Sequence, residues 1–141
     1  MPVGLVIVSH SARLAEGVAE LAEQMAQGKV GIAVAGGSSD GRLGTSVEKI
    51  TAALRQVDGP DGILVLLDLG SAVMATEMAV EAFRQDSLHP VLISPAPLVE
   101  GAVIAAVEAS IGNSLQEVAE AAADAATLPK VHDRNEEEKD Y

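Results

Sequence analysis

The chain has 141 residues, the size of one ordinary domain, and 48% of them are apolar, enough for a real core. A formal net charge of −12 repels phosphate backbones and argues against nucleic acid as a partner. The absence of cysteine excludes disulfides, thiolate catalysis and Cys-ligated metals, and one Phe, one Tyr and no Trp leave no platform for stacking bases or sugars. No run approaches the ~18 apolar residues of a membrane span. The start, Met1-Pro2-Val3-Gly4, lacks a basic region followed by a long apolar stretch. A soluble cytoplasmic protein without membrane contact is the expectation.

Short Val/Ile/Leu runs alternate with longer Ala/Glu-rich segments. Leu5-Val6-Ile7-Val8 is the first strand. Leu14, Val18, Leu21, Ala22 and Met25 then recur at helical spacing, which predicts a helix from about Ala12 to Gln27 with Ser11 as N-cap and Gly28 as stop. Val30 to Val34 is the second strand, and residues Ala35 to Gly44 form a Gly/Ser loop. Thr45 or Ser46 opens a second helix to about Val57, closed by the turn Gly59-Pro60-Asp61-Gly62. Ile63 to Leu67 is wholly apolar, as expected of a central strand buried on both faces. Asp68-Leu69-Gly70-Ser71 leads into a helix to about Arg84, and Val91-Leu92-Ile93 is a fourth strand. After Ser94-Pro95-Ala96-Pro97 the chain is helical from about Val99 to Ala126, divided near Gly112-Asn113-Ser114.

The order β-α-β-α-β-α-β-α-α predicts an open parallel sheet with helices on both faces, one domain over residues 1–128. Residues Pro129 to Tyr141 are dense in charge and poor in apolar side chains, and are expected to be a disordered tail.

In such sheets ligands bind beyond the carboxyl ends of the strands. Those ends carry Ser9-His10-Ser11, Gly36-Gly37-Ser38, Asp68-Leu69-Gly70-Ser71 and Ser94-Pro95-Ala96-Pro97. Together they offer one imidazole, one carboxylate, hydroxyls and glycine backbone. If Asp68 accepts a hydrogen bond from Nδ1–H of His10, Nε2 becomes the nucleophile and positive charge on the ring is stabilised. Helix starts at Ser11 and Ser71 offer unpaired N–H groups suited to a phosphoryl group, and Gly36, Gly37 and Gly70 permit close backbone approach. The competing interpretations are structural: a lone histidine, Asp68 as a helix cap, Gly36-Gly37 as a plain turn. Sequences diagnostic of a P-loop, a dinucleotide fold or a serine-hydrolase elbow are absent. His89 and His132 do not stand at metal-ligand spacing from His10, so no metal is expected.

Four blocks in order then carry a resemblance: Gly4 to Ser11; Ala35-Gly36-Gly37 with Leu43-Gly44-Thr45-Ser46; Leu66 to Ala72; and Ala96 to Ala102. They resemble the phosphotransferase subunit of bacterial dihydroxyacetone kinase, and span roughly residues 1 to 125. That family is similar to the mannose-type IIA domain of the sugar phosphotransferase system (PTS). The resemblance implies a three-layer α/β/α sandwich on a mainly parallel open sheet of four or five strands. It implies that His10 is the phosphorylated residue and Asp68 its orienting carboxylate. It also implies a route in which phosphate passes from phosphoenolpyruvate through enzyme I and HPr to this protein. From here it goes to ADP on the nucleotide-binding subunit DhaL, while the subunit DhaK holds dihydroxyacetone. This chain itself would bind no cofactor, and a homodimer is expected, with the Ala-rich C-terminal helices packing closely. Some members of the family carry HPr-like and enzyme I-like domains after the IIA-like one, so either a separate HPr is the donor or the chain is part of a longer protein. Two alternatives remain: a IIA domain serving a IIB domain of a sugar permease, and a regulatory module without phosphate turnover. Glu100 is expected to cap the helix it opens or to face a partner.

Overall fold

A computed structural model describes residues 2–131. Its elements follow the predicted order: β1 (Gly4–Ser9), α1 (Ala12–Ala26), β2 (Ile32–Gly36), α2 (Val47–Gln56), β3 (Ile63–Leu67), α3 (Ala72–Phe83), β4 (Val91–Ile93), α4 (Leu98–Ser110) and α5 (Leu115–Asp124), with a 3₁₀ turn at Ala125–Thr127. The four strands pair in parallel in the order β2-β1-β3-β4. The chain runs outward from β1 to β2 and then returns to β3 on the other side of β1. The strand order therefore switches between β1 and β3, which places a crevice where their carboxyl ends separate.

Strand alternation feeds two cores. Leu5, Ile7, Leu64 and Leu66 face α1, α4 and α5, whereas Val6, Val8, Ile63 and Val65 face α2 and α3. All eight are fully buried; each such side chain contributes about 1.5–3 kcal/mol of transfer free energy. This gives the expected three-layer sandwich, with four strands among the described residues. The first core is thin. Ala15, Ala19, Ala22 and Ala26 of α1 share it with Ala102, Ala105, Ala106 and Ala109 of α4. The alanines of α4 are thus consumed inside the protomer and are not a surface for a second copy, contrary to the reason given above for a dimer.

Helix starts are set by hydroxyl caps. Ser11 and Ser46 accept the N–H groups of Leu14 and Lys49, and Ser114 forms a reciprocal capping box with Glu117. β2 lies two residues later than predicted, because Ala35 and Gly36 continue the strand, with Gly36 opposite Ser9. No larger residue fits there: a Cβ on Gly36 would lie 2.5 Å from Cα of Ala12 and 2.9 Å from the Ser11 carbonyl oxygen. The strand ends in small residues because the first turn of α1 rests on it.

Most of the expected tail lies outside the described residues. Of its first residues, Lys130 pairs with Glu100 at 2.9 Å. Glu100 is in the first turn of α4, whose N-cap residue, Pro97, makes no side-chain cap bond.

Candidate functional site

The switch in strand order brings His10, just after β1, against Asp68, just after β3. Asp68 grips its neighbour twice. Oδ2 accepts the backbone N–H of His10 at 2.9 Å, and Oδ1 lies 3.0 Å from Nδ1 of the ring. The remaining lone pairs are filled by Ser9, whose hydroxyl donates to Oδ2 at 2.9 Å, and by the Leu69 N–H, which donates to Oδ1 at 2.8 Å. Four donors match the roughly four acceptor positions of a carboxylate.

Burial pushes the Asp68 carboxyl upward, but the bonds from His10, Ser9 and Leu69 outweigh it and hold the group below its ordinary value of 3.8. Asp68 is therefore an anion at neutral pH. An anion only accepts, so Nδ1 carries the ring proton and Nε2 carries the free lone pair. Nε2 lies 3.0 Å from the Ser71 hydroxyl, which has no acceptor role in a helix cap and donates to that lone pair. With 26% of its side-chain surface exposed, the ring shows an edge to solvent.

The predicted residues divide by what their polar groups already do. Ser71 has its hydroxyl on Nε2. The turn that opens α3 uses the N–H groups of Ala72 and Val73, bonded to the carbonyls of Leu69 and Gly70, and leaves those of Gly70 and Ser71 unused. The Ser11 hydroxyl caps α1, and its N–H goes to Ser9 Oγ at 3.0 Å. Gly36 and Gly37 depart from expectation. The Gly37 N–H is donated to the Ser9 carbonyl at 3.0 Å, and Gly36 is locked under Ala12. Their role here is close packing that seats the His10 segment, not the display of free amides.

Two residues escaped the sequence argument. Ser9 is fully buried and links Asp68 to the Ser11 N–H. A hydroxyl ending an otherwise apolar strand was its signal. Lys49 lies in the first turn of α2, where the helix dipole disfavours a cation. Its ammonium instead donates to the carbonyls of Gly36 at 3.1 Å and Ser38 at 2.8 Å. It thereby ties down the loop whose Gly44 N–H holds the His10 carbonyl at 2.9 Å.

The second described histidine is elsewhere. His89 precedes β4, at the opposite end of the strands, with Nδ1 2.8 Å from Asp58 Oδ1. His132 lies outside the described residues. Among the described residues no cluster of three or more His, Cys, Asp or Glu is placed to hold a metal ion, and no helix is long and apolar enough to cross a membrane.

Comparison with known proteins identifies relatives over most of the chain. The family model EIIA-man, described as the PTS system fructose IIA component, matches residues 4–119. The chain is 42% identical over 119 residues to the PEP-dependent dihydroxyacetone kinase phosphoryl donor subunit DhaM of Escherichia coli, covering 82% of this chain and 25% of that protein. It therefore spans about a quarter of the length of that relative. Against the kinase 2 phosphoryl donor subunit DhaM of Listeria innocua it is 35% identical over 116 residues, covering 82% of this chain and 93% of that one. The crystal structure of the unknown-function protein EF1359 superposes with a TM-score of 0.79 at 34% identity, covering 94% of this chain and all of that one. On sequence and fold, the chain belongs to the EIIA-man family and, within it, to the DhaM phosphoryl donor subunits.

Proposed function

We propose that the chain is a phosphohistidine carrier that drives phosphorylation of dihydroxyacetone. It takes a phosphoryl group from HPr on Nε2 of His10 and passes it to ADP held on DhaL. The observation that carries this is the Asp68 clamp, which fixes the ring as the Nδ1–H tautomer and leaves Nε2 as a nucleophile at the surface.

The chemistry balances with the residues present. The Nε2 lone pair forms a bond to phosphorus while the bond from phosphorus to the donor imidazole breaks, and that electron pair returns to the donor ring. The phosphorylated His10 ring, still protonated on Nδ1, is cationic and faces the Asp68 anion. In the second half, an oxygen of the ADP β-phosphate attacks phosphorus, the N–P bond breaks and Nε2 regains its lone pair. Such transfer asks for position and charge stabilisation more than covalent machinery. The Ser71 hydroxyl, 3.0 Å from Nε2, is a donor for the incoming phosphoryl oxygens, and the unused N–H groups of Gly70 and Ser71 and the Ser11 hydroxyl offer further donors at the adjoining helix starts. ADP and ATP stay on the partner, so this chain needs no cofactor and no metal of its own. The reaction is that of a phosphotransferase subunit working in the cytoplasm.

A homodimer is part of this proposal. Exposed Leu21 and Met25 on α1, Val107 on the adjacent α4 and Ile111 just past its end support it. Sedimentation at micromolar concentration checks it.

The test is transfer onward. Protein labelled from phosphoenolpyruvate, enzyme I and HPr is mixed with DhaL and ADP. Loss of label with ATP formation supports the proposal. Label that is stable to DhaL but discharged by a mannose-type IIB domain assigns the chain to a sugar permease instead. No label from any donor leaves a binding module.

A further inference from the structure

Lys49 has two separate duties. Its backbone N–H, in the first turn of α2, is donated to the Ser46 hydroxyl and completes the helix cap. Any residue but proline supplies that N–H. The side chain is not part of the cap, and its charge faces the positive end of the helix dipole. Partly buried, the ammonium reaches across to the end of β2, with Nζ 3.1 Å from the Gly36 carbonyl oxygen and 2.8 Å from that of Ser38. Gly37 lies between them at φ +77°, where the chain turns from strand into loop. No neutral side chain of this reach carries two donors on one atom.

The loop so held bears directly on the reactive residue. The Gly37 N–H is donated to the Ser9 carbonyl at 3.0 Å and the Gly44 N–H to the His10 carbonyl at 2.9 Å. Between these points the loop closes on itself, with the Ser38 N–H on the Arg42 carbonyl at 2.8 Å and the Gly41 N–H on the Ser38 carbonyl at 3.0 Å. The Ser38 carbonyl thus accepts from Gly41 and from Lys49, which uses both its lone pairs. Asp68 fixes the N–H and the ring of His10, and the loop fixes its carbonyl. Release of the carbonyl lets the backbone rotate there and carries Nε2 with it. A displacement of about 1 Å costs about a hundredfold in rate.

We infer that Lys49 is a positioning residue for phosphoryl transfer. This rests on the phosphocarrier proposal above. The ammonium holds residues 36–38 in their turn, the loop that follows brings Gly44 to the His10 carbonyl, and Nε2 stays aligned with the incoming phosphorus. The side-chain bonds of Lys49 go to the loop and not to the ring, so its contribution falls on the chemical step rather than on donor binding. It is therefore the same for a protein donor and for a small one. The charge carries the effect, because hydrogen bonds from an ionised donor are about twice as strong as neutral ones.

The test compares Lys49→Met with Ile50→Val, which loosens the buried face of the same helix and leaves the Lys49 bonds alone. Amide hydrogen exchange reads the loop, and phosphorylation by phosphorylated HPr and by phosphoramidate, a small donor, reads the reaction. In Lys49→Met the Gly44 amide should exchange about tenfold faster or more, from local opening of the loop. Its kcat should fall about tenfold or more with KM for HPr within about threefold of the parent, and phosphoramidate labelling should fall by the same factor. Ile50→Val should lower the denaturation midpoint and keep kcat within about twofold of the parent. The chain has no cysteine, so Lys49→Cys can be alkylated at that position alone. Bromoethylamine, which restores an ammonium, should recover at least about half of the parent kcat, and iodoethane, which adds no nitrogen, should recover none. Unchanged Gly44 exchange or unchanged kcat in Lys49→Met overturns the inference, as does equal recovery with iodoethane. A raised KM for HPr with phosphoramidate labelling intact also overturns it, because Lys49 would then serve donor binding. A parent protein labelled by neither donor refutes the phosphocarrier reading itself, and the positioning role with it, whatever the amide exchange shows.

Discussion

Asp68 holds His10 at both ends, its backbone N–H on Oδ2 at 2.9 Å and its ring Nδ1 on Oδ1 at 3.0 Å. One carboxylate thereby fixes where the residue stands and which ring nitrogen is free. It also supplies the negative charge that a phosphorylated, cationic ring needs.

Asp68→Asn tests that double grip. An amide has one oxygen, so its NH₂ group must face either Ser9 Oγ and the His10 N–H, or Nδ1 and the Leu69 N–H. The second arrangement forces the opposite tautomer and protonates Nε2; the first leaves the His10 N–H without an acceptor. Phosphoryl transfer should slow about a hundredfold or more, as when an orienting aspartate is removed from a catalytic histidine. Rapid-quench labelling from phosphorylated HPr measures it, and an unchanged rate removes Asp68 from the mechanism.

The same group sets a pH dependence. Its carboxyl is held below the ordinary value in the folded state, since hydrogen bonds outweigh burial. The stability it contributes is full above the unfolded value of about 3.9 and is lost as pH falls through the lower folded value. Denaturant unfolding of the parent and Asp68→Asn should therefore differ at pH 6, and the difference should shrink below about pH 4.

Ser9→Ala removes a buried hydroxyl that donates to Asp68 and accepts from the Ser11 N–H. The Ser11 N–H loses its partner, so a loss of about 1–3 kcal/mol is expected in chemical denaturation. Transfer should also slow, by less than in Asp68→Asn, because the ring keeps its bond to Oδ1.

Gly36→Ala drives a methyl group into Cα of Ala12, a backbone atom with no room to yield. The expected cost is about 1–3 kcal/mol or more, read as a lower denaturation midpoint. The His10 segment should shift with α1, so transfer falls as well.

The layers of the fold were legible because apolar runs and helical periodicity survive in a single sequence. Ile63–Leu67 needs no context to be read as a buried strand, whereas the order β2-β1-β3-β4 depends on pairings between distant segments. In the site, His10, Asp68 and Ser71 followed from the rule that loops after parallel strands converge. The rest depended on where each polar group spends its hydrogen bonds. Ser9 turns inward to Asp68, the Gly37 N–H turns back to Ser9, and Lys49 crosses to the end of β2. Residue type announces none of these partners.

The central claim is that Nε2 of His10 is the phosphoryl acceptor. Phosphorylation with phosphoenolpyruvate, enzyme I and HPr, followed by ¹H–¹⁵N correlation NMR of the imidazole nitrogens, tests it most directly. One acid-labile phosphate on Nε2 of His10, and none on His10→Ala, is the predicted result. Phosphate on Nδ1, or a His10→Ala variant labelled as well as the parent, would contradict the account.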